Sequence, residues 1–277
     1  MGAAVSGVAG ALAAYRDGEA ERAGALAAEA GTPLGAELAT YLAAGPSGPV
    51  YDQPAAFTAF IRGGGNVGLY RRLSEELAAR YDSWRPDALL DLGCGDGLAI
   101  EPALARASFR PERIDLVEPS EALLADVEIP GARRFSLTAQ DFLAADGSTW
   151  NLTQSTFALQ SIEPSVRASV LNALRARTER LVLAEFDVPD TADLESLAQR
   201  YERGVAEYGE QASLVAQGFL LPVLLGVAAG TARTNWEHPV AEWARQLEAA
   251  GFADVTVEPL ADYWWSPAVL ITASQPG

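Results

Sequence analysis

Cationic side chains are scarce in this chain. Its 277 residues carry 20 Lys and Arg against 37 Asp and Glu, a formal net charge of −17. Nucleic-acid phosphates demand a basic surface, so nucleic acid is excluded as a partner, and an anionic membrane is disfavoured for the same reason. Cysteine occurs once, at Cys94, which rules out an internal disulfide and fits a reducing compartment. Histidine also occurs once, at His238, and no metal site is expected. The N-terminal M-G-A-A-V-S-G lacks the basic start and continuous apolar run of a signal peptide. Leu214 to Gly230 approaches membrane-spanning length, but Gln217, Pro222 and three glycines interrupt it and no basic cluster flanks it. It reads as a buried helix or lid, and the protein as cytoplasmic, with small-molecule or carrier-tethered substrates as the remaining partners.

What is present is ample apolar material, 49% of residues, with 21% charged, enough for one large domain or a domain with a helical annex. Alanine-rich residues 5–44 show leucines at helical intervals with breaks near Gly18, Gly31 and Gly45, predicting three short helices. A helix carrying Phe57, Phe60 and Ile61 follows, stopped by Gly63-Gly64-Gly65, then a helix from Asn66 to about Ser83. After Pro86 short apolar strands alternate with helices, the pattern of a doubly wound sheet. Strands are expected at 88–92, 113–118, 134–138, 150–155, 180–187, 255–259 and 268–273. Two helices interrupt the pattern between Asp190 and Gly230, and another spans Trp236 to Gly251. The expected fold is α/β: a mostly parallel seven-stranded sheet with helices on both faces. Residues 1–83 form an N-terminal annex, and 84–277 the sheet domain with a helical insertion at about 190–235. Annex and insertion together are expected to cover the site.

The stretch that organises the chain is A-L-L-D-L-G-C-G-D-G-L, from Ala88 to Leu98. An apolar strand breaks at Gly93, Gly95 and Gly97, and a helix is expected to resume from Leu98. Glycines permit positive φ and close approach of a ligand, and unpaired amides at a helix start point toward it. The spacing is G-x-G-x-G, with Leu98 where the dinucleotide fingerprint wants its third glycine. Asp91, just before the loop, would repel a pyrophosphate and suit a cationic ligand. Cys94 inside the loop reads as a small packing residue, since a nucleophile there would lack a nearby base. Glu118, ending the second strand, has the reach and acceptor chemistry for a ribose diol, at about the lag expected of the ribose acid.

D-L-G-C-G-D-G resembles motif I of the class I S-adenosylmethionine (SAM) dependent methyltransferases, and the resemblance runs from about Tyr70 to the end. It implies SAM as cofactor, held by Asp91, Gly93, Cys94, Gly95, Gly97, Glu118 and Pro119. By the same resemblance Gln140-Asp141-Phe142 is motif II, with Asp141 accepting from the adenine amino group and Phe142 packing on the ring; Asp141 is also a candidate helix cap. Ser155, on the fourth strand, completes the implied cofactor set. T-F-A-L-Q-S-I, 156–162, is similar to the family's run after the fourth strand, but Gln160 and Ser161 stand where histidines often serve as base.

The deprotonating machinery is therefore not obvious. Gln160, Glu185 at the end of the fifth strand, Tyr70 and His238 are the catalytic candidates, His238 for a pKa near neutrality. Arg62 is a candidate clamp for the carboxylate of SAM. Rings at Tyr51, Phe57, Phe60, Tyr70, Phe219, Tyr263, Trp264 and Trp265 suit either cation recognition or packing. The first expectation is in-line methyl transfer to a small molecule, in secondary metabolism, leaving S-adenosylhomocysteine. The runner-up is a cyclase resembling azetidine-2-carboxylate synthases, which consumes SAM alone and releases methylthioadenosine. A non-catalytic SAM-binding partner protein is third.

Overall fold

The computed structural model describes residues 2–45, 54–189, 193–230 and 235–276. Tyr51, one of the rings singled out above, lies outside the described residues. The chain divides into two units. One comprises Met1–Gly68, Asp190–Thr234 and Tyr263–Trp265; the other comprises Leu69–Pro189, Asn235–Asp262 and Ser266–Gly277. The first dividing point falls inside the helix Gly64–Trp84.

The second unit holds the sheet. Its strands are β1 (Ala88–Leu92), β2 (Arg113–Val117), β3 (Arg133–Phe135), β4 (Trp150–Thr156), β5 (Thr178–Phe186), β6 (Ala253–Ala261) and β7 (Ala268–Ser274). They lie in the order β3-β2-β1-β4-β5-β7-β6. All pairings are parallel except those of β7, which runs antiparallel to both β5 and β6. This is the doubly wound, mostly parallel α/β sheet that the strand–helix alternation predicts. Successive side chains on a strand point to opposite faces. Leu90, Leu92, Leu181, Leu183 and Ile271 therefore pack with Phe142, Leu171, Leu174, Trp243 and Leu247 of the helices Ala139–Ala145, Pro164–Arg175 and Val240–Ala249. The alternate residues Asp91 and Gln154 turn to the other face, where Tyr81 of the helix Gly64–Trp84 meets them.

Three helix starts differ from expectation, each for a local reason. The helix after the glycine loop begins at Ile100 rather than Leu98. Gly93, Gly95 and Gly97 all have positive φ (77°, 56° and 80°), so the chain cannot adopt the right-handed helical φ until it has passed them. The helix expected from Trp236 begins at Val240, because the residue before Pro239 is sterically turned away from the helical region. Its amides are used elsewhere: Trp236 donates to the Gln160 carbonyl (2.7 Å), and His238 forms a bridge with Asp187. The helix expected from Asn66 starts at Gly64, where the Gly65 amide donates to the Glu207 carboxylate (2.8 Å). That carboxylate satisfies an otherwise orphaned first-turn donor.

The first unit is helical. Gly2–Arg16, Ala20–Glu29 and Pro33–Ala44 are the three predicted N-terminal helices, the third capped by Thr32, whose hydroxyl accepts from the Gly35 amide. Pro54–Ile61 and Leu194–Ala206 belong to the same unit, with a helical run Gly209–Ala229 that includes a π-turn over Ala216–Leu220. That run is long and apolar enough to cross a membrane. Here its Val215, Leu220, Leu221, Leu224 and Leu225 pack into a core with Leu12, Leu34, Leu38, Tyr201 and Trp264. Gln217, on the same run, donates to Glu37. Gly204 is glycine for a reason of space: a Cβ there would lie 2.8 Å from the Trp264 ring.

Candidate active site at the carboxyl ends of β1, β2, β4 and β5

The glycine loop leaves β1 between β2 and β4, the point where the strand order reverses and open α/β sheets bind ligands. The Gly93 and Cys94 amides both donate to the Val117 carbonyl, which folds the loop over the end of β2. Gly93 is required twice, by its φ and by space, since a Cβ there would sit 2.4 Å from the Ala158 Cβ. The turn after β4 therefore lies directly against the loop. Glu118 is half-buried beside it: one carboxylate oxygen accepts from the Gly95 amide (3.1 Å), the other from Ser120 (3.0 Å). The ribose-acid candidate is thus oriented by the loop it is expected to serve.

Asp91 is the most constrained group in this corner. It is 1% exposed. Its Oδ2 accepts from Gln154 Nε2 (3.0 Å), and Gln154 Oε1 accepts from the Tyr81 hydroxyl (2.5 Å). Its Oδ1 is buried with no hydrogen-bond partner. Burial pushes the carboxyl up to about 7; nearby Glu118 adds to the rise and the Gln154 donation opposes it. An unpaired buried carboxylate oxygen is costly, and a cationic ligand is the partner that would relieve it. Cys94 is buried, and burial with the neighbouring Asp91 and Glu118 raises its thiol far above the reactive range. It packs, as expected. Tyr70 is half-buried, its ring edge-on to Phe157 with 6.0 Å between centroids, and burial with the nearby Asp96 raises its phenol. Tyr70 is a hydrogen-bond donor, not a base at neutral pH.

Two expected cofactor contacts are buried inside the sheet unit, and one expected helix cap lies elsewhere. Phe142 is completely buried, against Phe135 (4.8 Å between centroids) and Trp150 (5.9 Å), and has no free face for an adenine. Ser155 is also completely buried, its hydroxyl donating to the Leu92 carbonyl (2.7 Å); it fastens β4 to β1. The cap of the helix Ala139–Ala145 is Thr138, not Asp141. Asp141 is the reciprocal member, receiving the Thr138 hydroxyl (2.8 Å) while Thr138 accepts the Asp141 amide. Asp141, Gln140 and Pro119 are exposed, and the Pro119 carbonyl accepts from Ser136 at the end of β3. Arg62 belongs to the first unit, where it lines a surface recess of about 500 Å³ with Thr58, Gln211 and Leu214.

The remaining catalytic candidates gather at the ends of β4 and β5, around a residue that sequence reasoning missed. Arg167 is completely buried. It donates to the carbonyls of Leu159 (3.0 Å), Ile162 (3.0 Å) and Trp236 (2.7 Å) and lies over the Trp243 ring at 4.3 Å. It was findable: 167, 170, 171 and 174 form the i, i+3, i+4, i+7 face whose other members are buried Val170, Leu171 and Leu174. Glu185 is likewise completely buried. Burial raises its carboxyl to about 8, Arg167 opposing and Glu237 adding. The Gln160 and Leu159 amides favour the charged form, yet neither oxygen has a donor in hydrogen-bonding geometry. Gln160 donates to the Phe157 carbonyl (3.2 Å) while its own side-chain oxygen has no donor. His238, half-buried, meets the Trp243 ring edge-on at 5.7 Å. Phe157 holds a left-handed φ of 53° and stacks on Phe186 at 4.6 Å, a conformation costing of order 1–3 kcal/mol that concentrates at functional sites. Among the described residues no cluster of His, Cys, Asp and Glu is built to hold a metal ion.

A sheet ordered 3-2-1-4-5-7-6 with its seventh strand reversed defines the class: this is a Rossmann-like α/β fold. No protein-family profile matches the chain, and no curated protein matches it by sequence. Solved structures do match in shape. One is the mitomycin 7-O-methyltransferase MmcR, at 16% identity and a TM-score of 0.53, over 82% of this chain and 59% of that one. Another is the magnesium protoporphyrin IX methyltransferase ChlM from Synechocystis PCC 6803. Its structure with bound SAM aligns at 13% identity and a TM-score of 0.51, covering 82% of this chain and 94% of that one. With bound SAH the values are 16% and 0.52, over 82% and 97%. The chain has the fold of these methyltransferases.

Proposed function

We propose that the chain is a SAM-dependent methyltransferase acting on a small molecule by in-line transfer. The observation that carries this reading is the buried Asp91 Oδ1, left without a partner beneath the glycine loop. A loop flanked by two carboxylates, Asp91 and Glu118, repels a pyrophosphate and suits an ammonium and a ribose diol, the two polar ends of SAM. The residues present fit that group. Asp91 would accept from its amino group, Glu118 from the ribose hydroxyls, and the loop backbone would approach its middle. SAM supplies an electrophilic methyl on sulfur, and the protein's contribution is alignment and exclusion of water.

The catalytic candidates narrow the acceptor. Tyr70 has a raised phenol, Glu185 is sealed beside Arg167, and Gln160 is not a base. An acceptor that is already nucleophilic, such as a neutral amine, suits this site better than an alcohol. A second reading is attack by SAM's own amine, after it passes a proton to the Asp91 carboxylate, on its γ-carbon, breaking the carbon–sulfur bond and releasing methylthioadenosine. Calorimetric titration with SAM, S-adenosylhomocysteine and NAD tests the cofactor. SAM and S-adenosylhomocysteine should bind and NAD should not; NAD binding in their place overturns the reading. Mass spectrometry after incubation with SAM alone separates the two chemistries. Unspent SAM supports transfer to a separate acceptor, whereas methylthioadenosine with a four-carbon amino acid supports cyclisation.

A further inference from the structure

We infer that Tyr81 and Gln154 are positioning residues that hold Asp91 as an acceptor, with Oδ1 reserved for a cationic group of the ligand. The inference rests on the SAM reading for the identity of that group, but its geometry stands on three residues of one unit: Tyr81, Asp91 on β1 and Gln154 on β4.

Gln154 is completely buried and paired in register with Asp91 across β1 and β4. A carboxamide has one accepting and one donating end. Tyr81 occupies the accepting end, so the donating end meets Asp91. Turning the amide over would place an oxygen against the carboxylate and leave the buried Tyr81 hydroxyl without an acceptor, and both changes are unfavourable. Tyr81 is itself completely buried, and burial and Asp91 raise its phenol, so it stays a donor. The order hydroxyl, amide, carboxylate is thereby fixed from one end. It favours an ionised Asp91, because the Gln154 amide donates into Oδ2 and a charged carboxylate oxygen is the stronger acceptor.

Of the other surroundings of Asp91, burial and Glu118 at the end of β2 push it toward protonation. Cys94 on the glycine loop is held as a neutral thiol by its own burial and by Asp91, Glu118 and Asp96. Among the described residues no cationic side chain figures among the groups acting on Asp91. The relay from Tyr81 is therefore what favours the charge before a ligand binds, and the ligand's ammonium completes it. Without the relay, binding must first strip a proton from Asp91, and affinity falls in a pH-dependent way.

The test compares wild type with Tyr81→Phe and Gln154→Met. The ligands are S-adenosylhomocysteine, which carries the ammonium, and methylthioadenosine, which does not. Titrations run from about pH 6 to about pH 9. In both variants S-adenosylhomocysteine should lose about tenfold in affinity near neutrality, the effect of about one pH unit on the Asp91 titration, and recover at high pH. Methylthioadenosine should be unaffected. A loss that is equal at every pH, or shared by both ligands, means a merely structural role and overturns the inference. In parallel, carbon NMR of the Asp91 carboxyl in the ligand-free proteins should show a higher midpoint in Tyr81→Phe. If wild type binds neither ligand but that midpoint moves, the SAM reading fails and the relay stands. An unmoved midpoint overturns the relay, whatever binds.

Discussion

Two buried carboxyls end two neighbouring regions of the same sheet, and they are treated differently. Asp91 on β1 receives one hydrogen bond from a wired amide and keeps one oxygen without a partner. Glu185 on β5 receives no hydrogen bond at either oxygen and is balanced at longer range by Arg167. Burial raises both. At Asp91 the charged neighbour is an acid, Glu118, and Oδ1 has no hydrogen-bond partner. At Glu185 the neighbour is a guanidinium already spent on three carbonyls. A raised pKa alone thus does not mark a catalytic group. Under the function proposed above, the first carboxyl takes a partner from outside and the second is expected to serve the scaffold.

The strongest way to break the comparison is Arg167→Met. Three buried carbonyls lose their donor, so unfolding free energy should fall by about 3–5 kcal/mol, read from the denaturant midpoint. An unchanged midpoint would mean that the Glu185 region is not scaffold. Next comes Glu118→Ala, which should weaken SAM binding by about 1–3 kcal/mol by calorimetry while barely moving the unfolding midpoint. Equal affinity would remove Glu118 from the ligand corner.

The pH dependence of stability sharpens the contrast. Each carboxyl keeps its proton in the folded chain to higher pH than in the unfolded one, so its contribution is fully present below about pH 4. It is lost as pH rises, through about 7 for Asp91 and about 8 for Glu185. Glu185→Gln should flatten the decline between about pH 5 and about pH 8, by up to about 1.4 kcal/mol per pH unit. Chemical denaturation across that range gives the slope, and a slope identical to wild type would contradict the assignment. The smallest effect is Asp91→Asn, whose flattening should stop near pH 7, with a stability change of about 1 kcal/mol.

Much of this architecture was legible in the sequence because it is written in local patterns. The doubly wound sheet follows from alternating apolar strands and helices, and the loop from three glycines and two acids at fixed spacing. The corrections share one cause: a residue type was read without its face. Phe142 turns inward together with Leu143 and joins Trp150. Ser155 points along the β1 seam. The Tyr81–Gln154–Asp91 relay joins residues 73 and 63 positions apart, and nothing in either local pattern announces the pairing. Arg167 was the avoidable miss, a charge placed squarely on an apolar helix face.

Arg167 also has a consequence for how this chain reaches its fold. Its partner Trp236 lies 69 residues onward and Gln246 lies 79 onward, with the whole stretch Asp190–Thr234 of the other unit intervening. Closing so long a loop is entropically slow, and non-local contacts of this kind set folding speed. During synthesis the guanidinium therefore stays hydrated until residue 236 and the helix after it have emerged. A chain stalled before that point carries an unburied charge in the middle of its future core, which makes docking of Arg167 a natural marker for the last step of assembly in the sheet unit.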